Sequence, residues 1–109
     1  MASISAFGDG PIGKTMPGYD ALVQAVSGMM SFTGSPDSPT IRIAPSILDL
    51  STGMWTAMGL LAAILRRNTS GEGEHIRPSL IDSAFTMMNH QLLGMLATCQ
   101  TPEKLGSGA

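Results

Sequence analysis

Cysteine is almost missing from these 109 residues, with Cys99 the single example. An intramolecular disulfide is therefore excluded, and a reducing, cytoplasmic setting is the expectation. Aromatic residues make up 5% of the chain and charged residues 13%. The six basic residues never cluster beyond Arg66-Arg67, and the formal net charge is −2. Without a basic patch there is no electrostatic footprint for nucleic acid or an anionic membrane surface. Neither is expected as a partner. The start, MASISAFGDG, has neither the basic residues nor the apolar run of a signal peptide. The longest apolar stretch, 53–65, contains Thr56 and falls short of the ~20 residues a membrane helix needs. It reads as a buried helix.

What is present is apolar. Hydrophobic residues reach 43%, nine of them methionine, which excludes a disordered chain. The length allows one small domain and only a modest core. Residues 1–18 hold glycines and two prolines, Pro11 and Pro17, as a loop would. Leu22, Val26, Met29 and Met30 share a face of a helix expected over 19–30. TGSPDSPT, 33–40, is turn chemistry, and 41–43 alternates like a short strand ended by Pro45. A second helix is expected over 51–67, capped by Asp49 or Ser51, closed by two arginines and apolar nearly all round. A loop at 68–73 and a short strand at 75–77, stopped by Pro78, come next. Ser79 and Asp82 have capping-box spacing for a last helix carrying Ile81, Ala84, Phe85, Met88, Leu92, Met95 and Leu96. The tail 101–109 reads as frayed. Helices alternating with short strands give an α/β class, with too few strands for a complete sheet.

Several patterns carry chemistry on paper. Residues 8–15, GDGPIGKT, match a phosphate loop in full. That loop must run straight into a helix, and Met16-Pro17-Gly18 opposes one. The nucleotide reading is therefore rejected. His75, His90 and Cys99 have no metal-site spacing, so no metal is expected, and Cys99 reads as a small buried hydrophobe. Asp49 differs. An aspartate before a helix is most often a cap. This one lies between apolar Ile47-Leu48 and Thr52-Gly53-Met54-Trp55, so its surroundings should be partly dry. Helix-start amides would hold it ionised while burial opposed them. Such a carboxylate suits nucleophilic attack on an acyl group.

Three blocks, PGYDALVQAVSGMMSFTG (17–34), DLSTGMWTAMGLLAAILRRNTSGEGEHI (49–76) and SLIDSA (79–84), resemble consecutive blocks of the family III CoA-transferases. The resemblance runs from Phe7 to about Met95 and agrees in block order and spacing. It implies that the chain is an incomplete, helix-rich piece of a Rossmann-like large domain, with 1–109 a single partial domain. The aspartate of the D-x-x-T-G block, the family's nucleophile, falls on Asp49. The resemblance places Tyr19 and Asp20 along the same site, Leu80 near bound CoA, and Lys14 loosely by the CoA phosphates. It implies acyl-CoA and carboxylic acid substrates, coenzyme A as substrate, no bound cofactor and a homo-oligomer. The chain is several times shorter than family members, so by itself it is expected to be inactive. Pro78 stands where the family usually has a strand residue. One alternative is an α-methylacyl-CoA racemase fragment. Those enzymes carry a histidine base where Tyr19 stands, and tyrosine is a poor base at neutral pH. The other is a non-catalytic remnant or interaction module, whose uncovered apolar faces would drive self-association.

Overall fold

The computed structural model describes residues 1–108, in which four α-helices form: α1 (Asp20–Val26), α2 (Ile47–Ser70), α3 (Leu80–Met87) and α4 (Asn89–Thr98). The first is shorter than the 19–30 expected. Gly28 turns left-handed (φ 85°) after it, and Met29–Ser31 continue as a single 3-10 turn. Its buried face also differs from the expected stripe. Asp20, Val23 and Gln24 point inward, whereas Val26 is exposed. Two polar side chains thus take positions that apolar periodicity would give to the core.

The second helix starts earlier and ends later than 51–67. It extends into the loop expected at 68–73 as far as Ser70, after which Gly71 adopts a left-handed cap and its N–H donates to the Arg67 carbonyl. It is not a buried helix either. Leu48, Ser51, Thr52 and Thr56 are covered, but Leu50, Met54, Met58, Leu61 and Leu65 are all more than half exposed. By length and composition it could cross a membrane, and 22% of its most apolar window is buried. An apolar circumference says that a helix wants covering on every side; this chain covers one.

The expected final helix is broken in two. Met88 leaves helical geometry (φ −93°, ψ 13°), with α3 before it and α4 after. Ser79 caps α3 as its spacing predicts, accepting from the Asp82 N–H at 3.3 Å, while its hydroxyl donates to the Asp82 carboxylate. Ala84 and Met88 enter the core, but Phe85, Met95 and Leu96 remain exposed. The core itself is small: Val23, Met29, Leu48, Leu80, Ala84 and Met88. It gathers α1, the first turns of α2 and α3, leaving the far part of α2 to project. A radius of gyration of 16.4 Å, against about 13 Å for a compact chain of this length, reflects that projection.

Neither expected strand forms among the described residues. The 75–80 segment does lie parallel to the N-terminus, with bridges Ala2–Ile76 and Ser5–Ser79. Ile76 N–H donates to Met1 O, Ser3 N–H to Ile76 O, Ser5 N–H to Pro78 O and Leu80 N–H to Ser5 O. The alternation requires residue 78 to donate between these, and proline has no N–H. Two isolated bridges replace a ladder for that reason. At 41–43 the backbone of Ile43 bonds instead to the side chain of Gln24, as described below. Of the tail expected to be frayed, 101–109, Ala109 lies outside the described residues; within 101–108 the Lys104 ammonium donates to the carbonyls of Ser38 (2.8 Å) and Pro39 (3.0 Å), and Gly106 N–H to Gly34 O.

Candidate functional site

The N-terminal ends of α1 and α2 meet, and Asp20 joins them. Its Oδ2 accepts the backbone N–H groups of Leu48 (2.7 Å) and Asp49 (3.1 Å). Its Oδ1 accepts from Gln24 Nε2 at 2.6 Å, one helical turn along α1. Gln24 in turn donates to Ile43 O (3.1 Å) and accepts from Ile43 N–H (2.8 Å). Asp20 is 3% exposed and Gln24 fully buried. A charge so placed is tolerated only when its oxygens are fully engaged. These are.

Asp49 is not the cap of α2, nor is Ser51. Ser46 holds the cap position without a side-chain bond, and Asp49 is the third helical residue. The amides of Leu48 and Asp49 at the helix start are taken by Asp20, and that of Ile47 donates to Pro45 O. Nor are the surroundings of Asp49 dry, since the residue is exposed. Its backbone is therefore fixed while its carboxylate faces outward. The ion pairs among the described residues, Arg66–Glu74 and Arg77–Asp9, leave it out.

The other candidates divide. Tyr19 immediately precedes Asp20 at the head of α1, so it stands beside the Asp20 junction, and the residue is 66% exposed. A Cβ at Gly18 would lie 2.6 Å from Ala6 Cβ and 2.8 Å from Phe7 Cε2, which explains the glycine before this tyrosine. Leu80 lies in the core, 7% exposed. Lys14 is exposed on a separate 3-10 turn, Gly13–Thr15. That turn leads into extended Met16 rather than a helix, so the phosphate-loop pattern lacks its helix here. Its Gly13 has a packing role, because a Cβ there would collide with the Phe7 carbonyl.

His75 is tied locally, with Nε2 2.8 Å from Ser3 Oγ and Nδ1 accepting from Arg77 Nε. Cys99 is exposed, contrary to the expectation of a buried thiol, with φ 56° at the end of α4. No group of three metal-ligating side chains occurs among the described residues. A cavity of about 520 Å³ opens between Phe32, α4 and the tail, and another of about 300 Å³ lies among Trp55, Pro78, Ser79, Asp82, Ser83 and Thr86. Asp49 lines neither. Gln24 is not among the site residues expected from the sequence, although the D-x-x-x-Q spacing places it one turn from Asp20.

An exposed carboxylate on a fixed helical turn can attack an electrophile or take a proton, and its surroundings alone do not choose. Comparisons with known proteins identify the family of the chain. The family model described as CoA-transferase family III matches residues 1–109. The acetyl-CoA:oxalate CoA-transferase of Acetobacter aceti is 38% identical over 108 residues, covering 97% of this chain and 28% of that protein. The human succinyl-CoA:glutarate CoA-transferase is 33% identical over 81% of this chain and 20% of its own length. Among solved structures, a CaiB/BaiF family protein from Brucella suis superposes with a TM-score of 0.87 at 31% identity, over 94% of this chain and 27% of that one. The chain spans about a quarter of the length of these relatives.

Proposed function

Because the chain belongs to CoA-transferase family III, we propose that it forms the part of a CoA-transferase that presents the nucleophile Asp49. Coenzyme A would move from an acyl-CoA donor to a carboxylic acid acceptor. The Asp49 carboxylate attacks the donor thioester carbonyl and expels CoA thiolate, leaving a mixed anhydride. The thiolate attacks the aspartyl carbonyl, releases the donor acid and forms an aspartyl-CoA thioester. The acceptor carboxylate attacks that thioester, again giving an anhydride and thiolate. Attack of the thiolate on the acceptor's acyl carbon yields the new acyl-CoA and frees Asp49.

The observation that carries this reading is the exposed carboxylate of Asp49 on a turn whose backbone is clamped by Asp20. Fixing a nucleophile before the substrate arrives removes orientational entropy from the reaction barrier. The names of the relatives, all transferring CoA between acids, favour transfer over racemisation. Tyr19 in place of a histidine base points the same way. The Rossmann-like large domain remains the proposed setting. A second copy of the protein, or the remaining length found in the relatives, would cover the open face of α2. Standing alone, the 109-residue chain should not turn over, since it spans only about a quarter of the length of its relatives and Asp49 lines neither of the two cavities described above.

The test uses a chimera in which this segment replaces its counterpart in the Acetobacter aceti enzyme. Donor acyl-CoA with hydroxylamine should convert Asp49 to a hydroxamate, read by peptide mass spectrometry. A hydroxamate on another acidic residue refutes the assignment.

A further inference from the structure

We propose that Asp20 is a positioning residue for the transfer reaction: its buried carboxylate caps α2 from another helix and so fixes where Asp49 presents its own. The inference rests on Asp49 being the nucleophile. The resemblance places Asp20 along the substrate site, but its oxygens are turned inward. Oδ2 holds the N–H groups of Leu48 and Asp49, and Oδ1 holds Gln24.

Three features show that this junction sets geometry. Ser46, of a type that normally caps a helix, makes no side-chain cap bond, so the cap of α2 is supplied across the tertiary fold by Asp20. One of the bonds is to the amide of Asp49 itself, so a shift of Asp20 moves the nucleophile's own backbone. Gln24 extends the fastening to Ile43, on the segment leading into α2. The start of α2 is thereby held from its first turn and from the chain just before it.

A further consequence concerns charge. With the N–H groups of Ile47, Leu48 and Asp49 bonded to Pro45 and Asp20, three of the four free amides at the head of α2 are already engaged. The α2 terminus is used for placement.

Kinetics of Asp20→Asn in the chimera described above provide the test. Asparagine retains one acceptor but turns a second set of donors toward Gln24, loosening the junction without removing it. The expected result is a fall in kcat of about 10-fold to 100-fold, with KM for acyl-CoA within about twofold of the parent chimera. An unchanged kcat with a raised KM makes Asp20 a substrate contact and overturns the proposal. Unchanged kcat and KM also overturn it. Asp49→Asn runs in parallel: an active Asp49→Asn chimera defeats the nucleophile reading, whereas an inactive one beside a fully active Asp20→Asn defeats only the positioning role. Amide hydrogen exchange on the 109-residue chain needs no activity. Asp20→Ala should speed exchange at Leu48 and Asp49 by about fivefold or more relative to Ala57 in mid-helix. Equal exchange in both proteins overturns the proposal whatever the chimera does.

Discussion

One carboxamide closes both backbone hydrogen bonds of a distant residue: Gln24 accepts from the Ile43 N–H at 2.8 Å and donates to the Ile43 carbonyl at 3.1 Å. A neighbouring strand would ordinarily supply that pair of bonds. Here a fully buried side chain on α1 supplies them and still reaches Asp20.

Gln24→Leu keeps the volume and removes every one of these bonds. The Ile43 amide and one oxygen of Asp20 lose their partners, at about 1–3 kcal/mol for each group left unsatisfied. The variant should therefore unfold at clearly lower urea concentration, by circular dichroism, than the parent chain. A midpoint equal to the parent's would mean that the clamp contributes nothing.

Asp49→Asn should be nearly neutral for stability, because the exposed carboxylate contributes only its interaction with the helix dipole, about 0.3–1 kcal/mol. In the chimera it should abolish both hydroxamate formation and turnover. A purely structural aspartate gives the opposite pattern, with activity kept and stability reduced.

Thr52 Oγ1 and Ser83 Oγ meet at 2.7 Å in the buried seam between α2 and α3. Ser83→Ala should destabilise the chain by roughly 1–3 kcal/mol, since it leaves the Thr52 hydroxyl alone, and Thr52→Val should cost less, because Ser83 Oγ keeps its bond to the Ser79 carbonyl. Combined, they should cost less than the sum by about 0.5 kcal/mol or more. Strict additivity in a denaturation cycle would show that the hydroxyls do not interact.

The uncovered face of α2, with Met54, Met58, Leu61 and Leu65 all exposed, should make the isolated chain self-associate. Sedimentation velocity at micromolar concentration should show species larger than a monomer. Replacing Leu61 and Leu65 with glutamate should shift them to monomer with helix content retained. A parent chain that is already monomeric contradicts the prediction.

Pro78→Val restores the one donor missing between Ser3 and the 76–80 segment. The new amide at position 78 should exchange slowly, protected by the Ser3 carbonyl. Net stability should change by no more than about 1 kcal/mol, because losing proline also frees the unfolded chain. Rapid exchange at position 78 would mean that the segment is held apart for another reason.

The chain's own order of residues determined what local chemistry can determine. Turn residues at 33–40, the capping pair Ser79 and Asp82, the rejected phosphate loop at 8–15 and the helical character of 51–67 all depend on neighbours within a few positions. So do the block patterns that carry the family resemblance. The burial of Asp20 and Gln24, the exposure of Leu61 and Leu65, and the loss of strands at 41–43 and 75–77 depend on what lies across the fold. Periodicity shows that a helix has an apolar side but not whether anything covers it, so α2 read as buried and stands open. A polar residue shows its hydrogen-bonding capacity but not its partner. Tertiary structure decided that Asp20 bonds to the amides of Leu48 and Asp49, distant in the chain, because only folding brings the heads of α1 and α2 together. That encounter made Asp20 the cap of α2 and left the carboxylate of Asp49 facing outward.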